Sequence, residues 1–270
     1  MSDAGADDPD RGQDAITRRQ ALAAGAGVAA TGVLVACGGN SGPGSSSAPV
    51  APASTSGGTG GGSAGPACRL AAEAEEGPFY LDLGEVRTAI AEDRPGVPLA
   101  LAITVLDATG CEPLPDAAVD VWHCDALGAY SGVESEGTIG ETYLRGIALT
   151  DDRGVAEFET IYPGHYPGRT THLHLKVRLG GRDAEGGYSG GNVSYVGQLY
   201  TPEPDDSEVF ALAPYAESSA AIVPQSADGL FTAQDGASSI LTTTRRGADL
   251  AVAGIRGEIA VGVDPAAVPG

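Results

Sequence analysis

Between His172 and Leu179 the chain reads HLHLKVRL, an unbroken alternation. Leu173, Leu175, Val177 and Leu179 fall on one side of an extended backbone; His172, His174, Lys176 and Arg178 fall on the other. Successive side chains of a strand point to opposite faces, so a period of two is satisfied by a strand and not by a helix. A second run, Pro98 to Leu106, places Leu99, Leu101, Ile103 and Val105 on one face and Ala100, Ala102, Thr104 and Leu106 on the other. A strand apolar on both faces belongs inside a sandwich. The turn cluster DATGCEPLPDA leads into a further strand, AVDVWHC, and GVAEFETIYP resumes the alternation after the Asp-Arg-Gly turn at 152 to 154. No long 3.6-residue period interrupts these strands. Short helical pieces are expected near Val86 to Glu92 and Glu208 to Ala216. The pattern predicts an all-β fold, a β-sandwich of mostly antiparallel strands with a few short helices, over residues 67–270.

The first quarter of the chain does not read as part of that domain. Residues 17–37, TRRQALAAGAGVAATGVLVAC, place Arg18 and Arg19 before a weakly apolar Ala/Gly run too short and too bland for a good membrane span. This is the shape of a twin-arginine export signal, although the leader before Thr17 is rich in aspartate instead of basic residues. The run closes on Leu34, Val35, Ala36 and Cys37, which looks like a bacterial lipoprotein cleavage box with Cys37 as the lipidated residue. Residues 38–66 carry almost no large apolar or charged side chain and cannot offset the entropy of ordering their backbone. They read as a flexible tether that holds the domain on the order of 30 Å from its anchor. The expected organisation is an export signal with lipobox (1–37), a linker (38–66) and one β-sandwich domain (67–270). The expected location is the outer face of the cytoplasmic membrane, attached through lipid on Cys37, or outside the cell. In an oxidising compartment Cys68, Cys111 and Cys124 allow one disulfide and one odd thiol. Cys68 with Cys111 is the expected pair, both standing in turn-like contexts, and three unpaired thiols are the alternative. A formal net charge of -21 argues against nucleic acid as a partner, since phosphates call for a basic stripe.

The segment GHYPGRTTHLHLKV, 164 to 177, gathers three of the chain's four histidines beside Tyr166 and Arg169. His172 and His174 share a face of one strand, about 7 Å apart at the backbone, so both rings can converge on one metal at about 2.0–2.1 Å. A hydrogen-bonded pair without metal is the alternative. Tyr166 stands on a Gly-His-Tyr-Pro-Gly turn that can return its phenol toward the strand. A phenolate is a hard oxygen ligand whose ionisation a trivalent metal promotes, so two imidazoles with phenolate oxygen suit iron(III). A tyrosine that only packs in its turn remains the other reading of the residues alone.

Four motifs occur in order: EEGPFYLD at 75–82, LPDAAVDVWHCDALGAYSG at 114–132, RGIALTDDRGVAEFETIYPGHYPGR at 145–169 and HLHLKV at 172–177. Together, across roughly residues 75–200, they resemble the intradiol ring-cleavage dioxygenases, the catechol and protocatechuate dioxygenase family. The resemblance implies a β-sandwich holding a mononuclear non-haem iron(III) between two tyrosinates and two histidines, here Tyr130, Tyr166, His172 and His174. It also assigns the active-site arginine to Arg169 and a site-lining glutamine to Gln198. His123 matches a position the family does not use as a ligand and is expected to be structural. His165 is expected to be a turn residue, and Tyr143 and Tyr162 packing residues. Pro78 and Tyr80 are candidates for lining the pocket. In the well-studied catechol and protocatechuate enzymes an insertion separates the turn tyrosine from the arginine. Here YPGR is continuous, as in a secreted side branch of the family, which leaves the identity of the diol open.

The reaction implied by the resemblance opens an aromatic diol between its two hydroxyl carbons with O2, giving a muconate-type dicarboxylic acid. Tyr166 would double as ligand and base, and Arg169 would stabilise negative charge developing on the ring. The partners are then a small aromatic diol and O2, with self-association into a homo-oligomer a further expectation. A surface-tethered β-sandwich module that binds metal or an aromatic ligand without turnover is the competing reading; a cation beside the metal has little use in passive capture. A zinc hydrolase would need a general-base carboxylate near the histidines, and the segment offers none.

Overall fold

The computed structural model describes residues 70–267. The expected export signal, lipobox and tether, with Cys37 and Cys68, lie outside the described residues. Among the described residues ten strands follow in chain order: Pro98–Asp107 (β1), Ala118–Trp122 (β2), Arg145–Leu149 (β3), Val155–Ile161 (β4), His172–Leu179 (β5), Arg182–Ala184 (β6), Gly187–Ser189 (β7), Asn192–Tyr200 (β8), Thr242–Arg245 (β9) and Ile255–Val263 (β10). Among the described residues the α-helices are short: Glu203–Val209 (α1), Gly229–Ala233 (α2) and Leu250–Ala253 (α3). One sheet has the order β4-β1-β10-β9, the other β3-β2-β5-β8, and β6-β7 form a hairpin. Every strand pair is antiparallel except β1 with β10. The fold is the all-β sandwich the alternation predicts.

The two four-stranded sheets enclose one core. Leu99, Leu101, Ile103 and Val105 of β1 share it with Val119 and Val121 of β2 and with Leu173, Leu175 and Val177 of β5. Both open edges on one side of the sandwich are covered by a single segment. Val86 bridges to Ile147 of β3 and Ala89 to Glu159 of β4, and the N–H groups of Arg87 and Ile90 donate to those same residues' carbonyls at 2.9 and 3.0 Å. This corrects the helix expected at Val86 to Glu92: edge strands leave unpaired backbone groups, and an extended segment satisfies them where a helix would use its own. The second expected helix starts earlier, at Glu203, and stops at Val209, with a separate 3₁₀ turn at Tyr215–Glu217. Pro204 fits its first turn, where a missing N–H is harmless, and Glu203, Asp205 and Asp206 suit the positive end of the helix dipole. Cys111 and Cys124 are free thiols; Cys68, the expected partner of Cys111, lies outside the described residues. Cys111 is exposed, and its N–H donates to Asp107 O at 2.8 Å, so the turn after β1 is closed by its own backbone without a crosslink.

The polar face of β5 is also buried. His172, His174, Lys176 and Arg178 are each at most 6% exposed, because residues 76–82 lie across them as a strap. Glu76 pairs with Lys176 at 3.0 Å and Asp82 with Arg178 at 3.3 Å. The Lys176 ammonium sits 3.3 Å from the centre of the Tyr80 ring, and the Tyr80 hydroxyl donates to Asp120 at 3.0 Å. A strand that reads as half-solvated thus carries a buried polar row, the ground on which the site is built.

A second buried carboxylate makes a separate prediction. Asp206 accepts hydrogen bonds from the Tyr162 hydroxyl at 2.8 Å and the Thr201 hydroxyl at 2.6 Å, and burial pushes its carboxyl up to about 7. A carboxyl with a raised folded-state pKa stabilises the fold most below its unfolded value, and that contribution falls as pH rises toward 7, at up to about 1.4 kcal/mol per pH unit. Asp206→Asn keeps the accepting oxygen and removes the charge. Urea unfolding from pH 4 to 8 is expected to show a flatter stability profile for the variant, with its advantage growing toward pH 7.

Candidate metal centre

Three pieces of chain meet at the outer face of β5. The strand carries His172 and His174, the loop before it carries Tyr166 and Arg169, and the loop after β2 carries Tyr130. The two loops interlock because glycines stand where they cross. A Cβ on Gly128, whose φ is +95°, would lie 2.5 Å from the His165 carbonyl oxygen, and one on Gly164 would lie 2.4 Å from that of Asp125. No larger residue permits this approach. Ring centroids are 5.8 Å apart for Tyr130 and Tyr166, 5.5 Å for Tyr166 and His172, 4.8 Å for the two histidines and 6.1 Å for Tyr130 and His174. The four predicted ligands form one cluster.

Their hydrogen bonding is incomplete in a specific way. His172 Nδ1 donates to the Thr170 carbonyl at 2.7 Å, which leaves Nε2 as an acceptor for the Tyr166 hydroxyl at 3.0 Å. The Tyr130 hydroxyl and both His174 nitrogens are buried without a hydrogen-bond partner. Leaving such groups unpaired costs about 1–3 kcal/mol each, and a cation held between two phenolic oxygens and two imidazole nitrogens removes most of that cost. The residues therefore fit a single metal ion of the hard-to-borderline class. Among the described residues no group of three or more His, Cys, Asp and Glu could hold a metal; this donor set depends on tyrosine.

Burial sets the protonation. It pulls His172 down to about 4, with Arg169 adding to the effect, and His174 well below the ordinary range, so both imidazoles are neutral and their lone pairs free. It pushes Tyr166 up to about 12 against the pull of Arg169, and Tyr130 well above its usual value with Cys124 and Tyr166 adding to the rise. Even with Arg169 beside Tyr166, neither phenol ionises at neutral pH on the protein's own groups alone.

Arg169 is held beside this cluster by Asp228 and Gln198. Its Nε donates to Asp228 Oδ2 at 2.9 Å and its Nη2 to Gln198 Oε1 at 2.5 Å. Gln198, opposite His174 in the β5–β8 register, also accepts from the Tyr200 hydroxyl at 3.0 Å and donates to the Glu75 carbonyl at 3.0 Å. Asp228 is a residue that sequence reasoning missed. It caps α2 by accepting from the Leu230 and Phe231 N–H groups and also accepts from the Thr170 N–H. Burial opposes its charge, but Thr170 and Arg169 hold its carboxyl below the usual range. Asp before Gly-Leu is legible as a helix cap; nothing local to it announces an arginine 59 residues upstream.

The other predicted residues fall as follows. His123 is fully buried, donating from Nδ1 to the Cys124 carbonyl at 2.9 Å and accepting at Nε2 from Thr160 at 2.8 Å, a structural histidine. His165 donates to the Ala220 carbonyl at 3.1 Å and packs on Phe210. Tyr143 and Tyr162 are core residues. Of the strap, Phe79 meets the phenols: it stacks on Tyr130 at 4.5 Å and meets Tyr166 edge-on at 6.2 Å. Tyr80 packs on Trp122 instead. A cleft of about 370 Å³ opens beside Tyr166, lined by Leu127, Gly128, Glu136, Pro167 and Ser218 among others.

Comparisons with known proteins point in one direction. Residues 75–184 match the family model Dioxygenase_C, described as dioxygenase. The catechol 1,2-dioxygenase of Acinetobacter baylyi is 34% identical over 96 residues, 34% of this chain and 30% of that protein. The chlorocatechol 1,2-dioxygenase of Pseudomonas putida is 32% identical over 136 residues, 42% of this chain and 50% of that protein. The chain thus spans half or less of these curated relatives. A solved intradiol ring-cleavage dioxygenase from Tetranychus urticae superposes with a TM-score of 0.64 at 29% identity, covering 75% of this chain and 98% of that one. Matched in fold along nearly the whole of a solved relative, and in sequence across the segment that carries all four clustered side chains, the chain is similar to the intradiol ring-cleavage dioxygenases.

Proposed function

We propose that this protein is an iron(III)-dependent intradiol dioxygenase that opens a catechol-type aromatic diol between its hydroxyl carbons, placing both atoms of O2 in a muconate-type dicarboxylic acid. The observation that carries the proposal is the convergence of Tyr130, Tyr166, His172 and His174 in one cluster in which the Tyr130 hydroxyl and both His174 nitrogens are buried without a hydrogen-bond partner. These four residues would hold the iron, and Arg169 with Gln198 would serve the substrate. When bound, iron(III) supplies Lewis acidity, which favours the ionised diol and draws electron density from its ring.

The chain's own groups supply the rest. Tyr166 borders the open cleft, and its hydroxyl lies within hydrogen-bond reach of His172 Nε2. Its phenolic oxygen is therefore placed to take a proton from an incoming diol hydroxyl. Arg169, whose guanidinium stays charged, is fixed by Asp228 and Gln198 and offers preorganised stabilisation to negative charge on the ring. Phe79 and Trp122 wall the cluster with apolar surface, which keeps water out and strengthens that effect. The names of the two curated relatives favour a catechol as the substrate class. Export and lipid attachment at Cys37 are proposed from residues 17–37 alone.

Oxygen uptake by the purified, iron-loaded protein tests the reading. With catechol, protocatechuate and hydroxyquinol in turn, at least one diol is expected to consume one O2 per molecule, with a matching ultraviolet rise from the diene diacid. Iron bound without uptake on any diol would overturn the catalytic reading and leave a metal-binding module.

A further inference from the structure

The two histidines of the cluster are held in different ways. A metal-bound histidine ordinarily donates its second N–H to a carbonyl or carboxylate, which fixes the ring. His172 does this through Thr170, whereas His174 has no hydrogen bond at either nitrogen. Packing is what confines it. Trp122, its partner across the β2–β5 register, stacks on the imidazole at 4.9 Å with an interplanar angle of 7°. Gly77 of the strap, at φ +76°, passes so close that a Cβ there would lie 3.1 Å from His174 Cε1 and 3.7 Å from Nε2. Trp122 is backed in turn by Tyr80 at 4.8 Å, and Tyr80 is pinned by Lys176 and Asp120.

We infer that Trp122 and Gly77 are positioning residues, a packing clamp that aims the His174 imidazole at the metal where a hydrogen bond would otherwise do so. The inference rests on the proposed iron site. It accounts for the glycine of EEGPFY: at φ +76° a side chain there is strained, and its Cβ presses on the ring at 3.1 Å. It also gives Lys176 of the polar row of β5 a purpose beyond stability, since with Asp120 of β2 it seats the aromatic stack behind the ligand.

The test compares iron(III) affinity, by chelator competition, and the tyrosinate-to-iron visible band across four variants of the full protein, with thermal unfolding alongside. Trp122→Phe keeps a flat ring and is expected to stay within about threefold of wild-type affinity. Trp122→Leu removes the stack and is expected to lose roughly 10–100-fold, the range for lost orienting partners, and to shift the band. Gly77→Ala is expected to show the same loss. Gly140→Ala carries a comparable strain at φ +88° with nothing within 4 Å of the new Cβ, so it is expected to lower Tm while leaving affinity and band in place. Wild-type affinity and spectrum in Trp122→Leu would overturn the clamp, even where Gly77→Ala fails to fold. Absence of iron from the wild type would instead overturn the proposed site.

Discussion

His172→Ala is expected to release the iron and abolish ring cleavage while leaving the sandwich folded. Loss of an outer partner of a metal ligand typically lowers affinity 10–100-fold, so loss of the ligand itself should exceed about 100-fold. The same change removes the acceptor of the half-buried Tyr166 hydroxyl in a cluster that already holds three buried atoms without a partner on Tyr130 and His174. The core is little affected, because His172 lies on the β5 face opposite Leu173, Leu175 and Val177. His123→Ala provides the contrast. Both of its ring nitrogens serve the fold, so it is expected to lower Tm with full iron stoichiometry. Equal iron loss in both variants would mean the metal reports on folding and not on the ligand set.

Arg169→Ala is the second large effect: kcat is expected to fall on the order of 10²–10³-fold, the range for removing one preorganised charge stabiliser, while iron remains bound. Asp228→Asn separates position from charge. It leaves the guanidinium in place but removes the carboxylate that anchors its Nε and the Thr170 N–H. An intermediate loss in kcat with a small change in KM is expected, with a parallel loss of stability. The wild-type contribution of Asp228 also has a sign. Its carboxyl lies below the ordinary range, so its stabilisation is complete above the unfolded carboxylate value and disappears as pH falls below it. Asp228→Asn should therefore narrow the gap to wild type in acid. Steady-state kinetics with urea unfolding at pH 3 and pH 7 check both parts.

The strands were legible because their apolar residues alternate over seven or more positions, as in Val155–Ile161 and His172–Leu179. The metal cluster was legible in part. An H-x-H pair on one strand announces itself through spacing, but Tyr130 is 42 residues from His172 and is brought in only by the crossing at Gly128 and Gly164. That placement came from a resemblance spanning several motifs, since no local pattern contains it. Three features escaped. Val86 to Glu92 has helix-compatible residues, yet two sheet edges capture its backbone. Asp228 reads locally as a cap, and its second role depends on a tertiary contact. Lys176 and Arg178 look solvent-facing, because alternation reports a polar face and not what covers it. In each case long-range contact overrides local preference.

On the proposed function, two phenolic oxygens and two imidazole nitrogens hold one ferric ion on the β3-β2-β5-β8 sheet. Metal analysis joined to the visible spectrum of the purified protein tests it most directly. About one iron per chain is expected, with a broad charge-transfer band that shifts or bleaches in Tyr130→Phe and in Tyr166→Phe. A colourless protein carrying zinc or no metal, or a band that neither substitution alters, would contradict it.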